Sequence, residues 1–140
     1  MDPLSLTASI ITVVGLAGSI GKSLKQLRQL RHIPDEVHTL INDIADLQAV
    51  LAEVERVLIQ YQATTHIPDG TVSYLSKTIE LIRLKLSDLD RIAAECGGVE
   101  FKVKIARLKW VRARTKVVAI QASLRELKMN LITTLGTLCS

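Results

Sequence analysis

Apolar residues recur along this chain in alternating steps of three and four, and four such runs fill nearly all of it. The first is Leu6, Ile10, Val13, Ala17, Ile20, Leu24 and Leu27. The second is Val37, Leu40, Ile44, Leu47, Leu51, Val54, Leu58 and Tyr61, and the third Val72, Leu75, Ile79, Ile82, Leu86, Leu89 and Ala93. The fourth comprises Val103, Ala106, Trp110, Ala113, Val117, Ile120, Leu124, Leu127 and Leu131, and reaches Leu138 if Thr134 is accepted in the row. Such spacing keeps one stripe of an α-helix facing a partner, whereas a strand would alternate every second residue. The pattern predicts an all-α fold with helices over about residues 3–32, 34–62, 71–95 and 101–138.

Helix start and stop signals agree with these runs. Asp2-Pro3 reads as an N-cap followed by proline in the first turn, and Pro34 opens the second run. His66-Ile67-Pro68-Asp69-Gly70 reads as a loop, with Asp69 or Thr71 available to cap the third helix, which Gly97-Gly98 would end. Short connections favour antiparallel neighbours, so the expectation is an antiparallel up-down four-helix bundle with a long C-terminal helix, in a single domain over residues 1–140. The last helix would overshoot its partners, ~55 Å against ~43 Å for the second by helical rise, so it should kink, project or lead onward. Ser140 shows no stop signal, which reads as an N-terminal module of a longer protein.

Composition narrows the class. Hydrophobic residues make up 48% of the 140 positions and aromatic residues 3%, so aliphatic side chains must do the packing. Cys96 and Cys139 match no metal spacing and no disulfide framework, which points to a reducing, cytoplasmic setting. Residues 3–21 carry no charge, yet Asp2 precedes them and Lys22, Lys25, Arg28 and Arg31 follow, the reverse of a cleaved secretory signal. The segment is long enough to span a bilayer, ~28 Å as a helix. Its five Ser/Thr and three Gly dilute it. That makes it a segment able to enter a bilayer rather than one resident there.

The stretch IITVVGLAGSIGKS, residues 10–23, imitates a strand feeding a phosphate-binding loop. That loop needs G-x-x-x-x-G-K-[ST], and the first glycine would fall at residue 16, which is Leu16. No later strand offers a metal-holding Asp. His32, His38 and His66 lie near helix ends without ligand spacing, and Cys96 has no base nearby in sequence. The expectation is a protein that is not an enzyme, with no cofactor and no metal.

The first helix is apolar or small nearly all round. Besides its seam it carries Leu4, Ile11, Val14 and Leu16 on the flanks, and opposite the seam Ser5, Ala8, Thr12, Gly15 and Ser19. A helix of this kind is either buried centrally, with glycines for tight packing, or destined for lipid, where small residues let helices associate closely. The membrane reading assigns insertion to Leu4, Leu6, Ile10, Ile11, Val13, Val14, Leu16 and Ile20, and helix association to Ala8, Thr12, Gly15 and Ser19. Contact with anionic lipid falls to Lys22, Lys25, Arg28 and Arg31, together with Lys102, Lys104, Arg107 and Lys109 from the basic run 102–116. A solvated surface complementing the helix dipole accounts equally well for the first four. The basic run faces an acid-rich second helix in composition, with Asp35, Glu36, Asp43, Asp46, Glu53 and Glu55, so the two segments should partly neutralise each other. Nucleic acid is not expected as a partner, because aromatic platforms are nearly absent.

The opening MDPLSLTASIITVVGLAGSIGKSL resembles the N-terminus of fungal HeLo-like domains, the helical modules that head many fungal NOD-like receptors and death-effector proteins. Arg107-Leu108-Lys109-Trp110 and the Lys116…Leu124…Leu127-Lys128…Leu131 pattern extend the likeness over nearly the whole chain, departing at Val111-Arg112-Ala113-Arg114, where the family more often has a proline or aromatic. The resemblance implies a bundle whose first helix can be released to act on membranes, in programmed cell death and heterokaryon incompatibility. It further implies self-association, a downstream receptor or amyloid-type signalling domain, and relocation from cytoplasm to plasma membrane. The competing reading is a soluble adaptor that binds protein partners without touching lipid.

Overall fold

The structure, a computed structural model, describes residues 2–29, 35–97 and 103–139. They form four helices, α1 (Pro3–Arg28), α2 (Glu36–Thr64), α3 (Asp69–Gly97) and α4 (Val103–Cys139), with no strand among the described residues. The chain is an all-α bundle, as its periodicity predicts.

Local signals act where the backbone lets them. Asp2 sits in an extended conformation before α1, and its Oδ1 accepts the Ser5 backbone N–H at 2.7 Å, with Pro3 in the first turn. Asp35 occupies the equivalent place before α2 with helical backbone angles, which turn its side chain away from the first free N–H groups, and it makes no cap bond. Neither Asp69 nor Thr71 caps α3. The helix begins at Asp69, and the preceding Pro68 carbonyl accepts from Thr71 N at 3.0 Å and Val72 N at 3.1 Å. Pro34 and Gly98 lie outside the described residues.

The seams read from the sequence are the core. Every residue of the α1 run is buried at 0–2% exposure, and the α2 and α3 runs are buried throughout except the half-buried Tyr61. On α4, Trp110, Val117, Ile120, Leu124 and Leu131 are buried, with Ala113 and Leu127 packed at the margin. Fully burying such side chains contributes about 1.5–3 kcal/mol each. That term, repeated along four seams, holds the bundle together.

Which helices are neighbours is less obvious. α1 packs against α2 and α3, and α4 packs against the same two. Among the described residues α1 and α4 do not pack together, nor do α2 and α3. The order around the bundle is therefore α1, α2, α4, α3, and residues 65–68 carry the chain diagonally from α2 to α3. Ile67 in that connection is buried at 2%, plugging the end of the core it crosses. Side-chain bonds set the directions. Arg28 meets His38, and Gln48 meets the Val14 carbonyl, so α1 and α2 run antiparallel. Glu36 meets Trp110 and Arg114 while Asp43 meets Gln121 and Arg125, so α2 and α4 run parallel.

The α2–α4 seam has a polar element repeated twice. Glu36 Oε1 accepts from Trp110 Nε1 at 2.8 Å and Arg114 Nε at 2.7 Å. Asp43 Oδ2 accepts from Gln121 Nε2 at 2.6 Å and Arg125 Nε at 2.8 Å. Of the basic run 102–116, Arg114 alone pairs with an acid of α2 among the described side chains; the second node uses Arg125, beyond that run. Because Glu36 is the first residue of α2, about two turns of α4 before Trp110 extend past it, and Lys109 Nζ there reaches the Glu95 carbonyl at 3.4 Å. The extra length of α4 is absorbed at that end. The helix stays unbroken through Val111–Arg114.

Replacing Asp43 by Ala leaves two α4 donors without their acceptor and should lower stability by about 1–2 kcal/mol. Urea unfolding with an unchanged slope checks this. Glu53→Ala, which removes only the exposed neighbour pair with Arg56, should leave the midpoint unchanged.

Candidate functional site

α1 stands at a corner of the bundle, so two neighbours cover one side and leave the other in water. Leu6, Ile10, Val13 and Ile20 lie in the core, and Val14 and Leu16 are half-buried against it. Leu4 is 74% exposed and Ile11 53%. Ala8, Thr12, Gly15 and Ser19 are all exposed on the outer side. Central burial, one of the two alternatives for such a helix, is thus corrected: a third of its most apolar 18-residue window is buried.

Glycine packing follows the same division. A Cβ on Gly18 would meet Gln48 Nε2 at 3.0 Å, so this glycine does admit a close neighbour from α2. At Gly15 and Gly21 a Cβ would meet nothing within 4 Å. Gly15 therefore serves no contact inside the bundle.

The outer face is uncharged from Pro3 to Gly21. Two of its hydroxyls turn onto their own helix: Ser9 donates to the Ser5 carbonyl at 3.1 Å and Thr12 to the Ala8 carbonyl at 3.1 Å, as the buried Thr7 does to the Pro3 carbonyl at 2.9 Å. Polar groups satisfied within the helix cost less to take out of water than groups needing solvent partners. With a mean hydropathy of 1.8 over its best window, α1 is the one helix among the described residues long and apolar enough to cross a membrane. The core helix of a soluble protein passes the same test.

The cations gather at one end. Antiparallel α1 and α2, with α4 starting beside the start of α2, bring the C-terminal turns of α1 and the first turns of α4 to the same pole. Lys22, Lys25, Arg107 and Lys109 are exposed there. Lys22 and Lys25 flank a shallow groove of about 180 Å³ between α1 and α2, floored by Ala17, Gly18, Gly21 and Ile41. Arg28 Nη1 donates to His38 Nδ1 at 2.8 Å, which ties it to α2. Arg31 and Lys102 lie outside the described residues, as does the side chain of Lys104. Sequence reasoning missed the paired carboxylate nodes of Glu36 and Asp43. The signal was present in acids seven residues apart on α2 and donor pairs four apart on α4.

Gly21-Lys22-Ser23 lies inside α1, where the backbone cannot curl around a phosphate. Cys96 is buried, and burial raises its pKa, which keeps it a protonated thiol and a poor nucleophile. No cluster of three or more His, Cys, Asp or Glu able to hold a metal occurs among the described residues. No family model, curated protein or solved structure matches the chain significantly.

Two outcomes follow from this geometry. Gly15→Ala should stabilise the folded domain by about 0.5–1 kcal/mol, because helical glycine costs that much and nothing obstructs the methyl. Gly18→Ala should gain less, since Gln48 must move off its 3.3 Å bond to the Val14 carbonyl; thermal melts of both variants check the difference. The Ser5 N–H holds the Asp2 carboxyl below its ordinary 3.8. A depressed carboxylate contributes above its unfolded pKa, and its contribution is lost as pH falls through the lower folded value. The Ser5 amide resonance should therefore titrate with a midpoint under 3.8, and Asp2→Asn should abolish that titration.

Proposed function

We propose that this chain is a membrane-targeting cell-death domain of HeLo-like type, which acts after oligomerising by releasing α1 into the bilayer. The observation that carries this reading is the outer side of α1: an uncharged face of small and apolar residues in water. Leu4 and Ile11 are available for first contact, and the exposed cations at the C-terminal end of α1 and the start of α4 are attractive to anionic headgroups. Ala8, Thr12, Gly15 and Ser19 then supply the helix–helix face within lipid.

The energetics suit a switch. Releasing α1 exposes seven core side chains, from Leu6 to Leu27, a cost on the order of 10 kcal/mol. Hydrocarbon receives five of them, Leu6 to Ile20, at little penalty, which offsets part of that cost. Lys22 and Lys25 stay at the near headgroups as the Leu4 end crosses. The protein is cytoplasmic at rest and moves to the plasma membrane on activation.

The soluble-adaptor reading draws on a different observation: the α1 seam is as fully buried as in any stable bundle. Leakage from phosphatidylserine-containing vesicles separates the two. Ile11→Glu with Gly15→Glu alters only exposed positions, so the bundle should keep its circular dichroism. Charged groups at bilayer depth cost about 2.5–3.5 kcal/mol each, so with two of them leakage should fall by at least about 1,000-fold. Leakage that persists unchanged, or a wild-type domain that never pellets with vesicles when clustered, defeats the membrane reading.

A further inference from the structure

The C-terminal helix carries a second seam, on the side turned away from the core. Leu108, Thr115, Ala122 and Met129 repeat every seven residues, and Val111, Val118, Arg125 and Ile132 follow each by three. These occupy the two core positions of a heptad over 25 residues from Leu108 to Ile132, and five of the eight are large and apolar. All eight are exposed, with Val118 at 57% and Met129 at 55%. Arg125 is the one charge in the row, and it is drawn aside by Asp43 of α2. The inward seam through Trp110, Val117, Leu124 and Leu131 is separate and already filled.

We infer that this outward seam of α4 docks an acidic amphipathic helix. The flanking heptad positions decide the partner's charge. Just before each heptad stand Arg107, Arg114, Gln121 and Lys128, and beyond the second apolar position stand Arg112, Ala119, Glu126 and Thr133. Glu126 is the single acid of α4. Flanking residues of this kind set partner choice in coiled coils. Arg114 is already held by Glu36 and Gln121 by Asp43, so Arg107, Arg112 and Lys128 are the flanking cations that remain to meet carboxylates. A second copy of α4 is disfavoured, because in a parallel pair Arg107 would face Arg112 of the other copy. A lipid surface fits less well, since a helix lying in the headgroup region needs a broad apolar face and this row is two positions wide. The seam shares no residue with the outer face of α1.

The test uses the full chain and two synthetic helices of three heptads, both with Leu at the apolar positions, one with Glu and one with Lys on the flanks. In fluorescence anisotropy the Glu helix should bind at least about tenfold more tightly than the Lys helix and weaken as salt rises. Val118→Glu and Met129→Glu should each reduce that binding about tenfold or more, with the thermal midpoint unchanged. Four results overturn the inference: equal binding of the two helices, binding of neither, indifference to both substitutions, or loss through Val118→Glu of vesicle binding or of a concentration-dependent dimer instead.

Discussion

Removal of aliphatic side chains from water along four parallel rows is the interaction on which everything else in this domain rests. The core holds Leu, Ile, Val and Ala almost throughout, with Trp110 as the one fully buried aromatic side chain among the described residues. Aliphatic rows three and four residues apart mesh along helices with little demand for polar partners, and no buried side-chain polar atom lacks one among the described residues. Yet the chain has more apolar positions than four rows can bury. Part of the excess sits on the outer sides of α1 and α4, and part on α2 and α3 at Ile59, Tyr74, Leu81 and Leu84.

Charge has a different task. Apolar rows specify which side of a helix faces inward but are indifferent to the identity and direction of the neighbour. The bonds from Trp110 and Arg114 to Glu36, and from Gln121 and Arg125 to Asp43, supply what the rows cannot. They place α4 beside α2, parallel to it and in one register. Both nodes are partly exposed, so their energetic contribution is modest and their value is geometric.

The inward side of each helix was legible because burial imposes a period of 3.6 residues on the chain itself. Of the α1, α2 and α3 rows only Tyr61 falls short of full burial. The Asp2 cap was legible for the same local reason, whereas Asp69 and Thr71 were misread because Pro68 already supplies the carbonyl that starts α3. The order of helices around the bundle was not legible: periodicity is blind to partners, and a four-residue connection reaches a diagonal corner as readily as an adjacent one. Nor could the sequence tell whether the small face of α1 was sheltered. Ala8, Thr12 and Gly15 suit a tight helix crossing and a free surface equally, and only the position of α1 at a corner decides between them.

The diagonal connection has a mechanical consequence. Among the described residues α2 and α3 do not pack on each other, and each is held by α1 on one side and α4 on the other. If α1 departs, α4 becomes the keystone: the sole bridge between two helices that otherwise share only a short tether at Ile67. What stays behind is an open three-helix trough, its floor lined by the α2 and α3 side chains that α1 had covered. Such a trough must close on itself or accept another helix, so departure of one rod creates a vacancy of matching shape in the body it leaves.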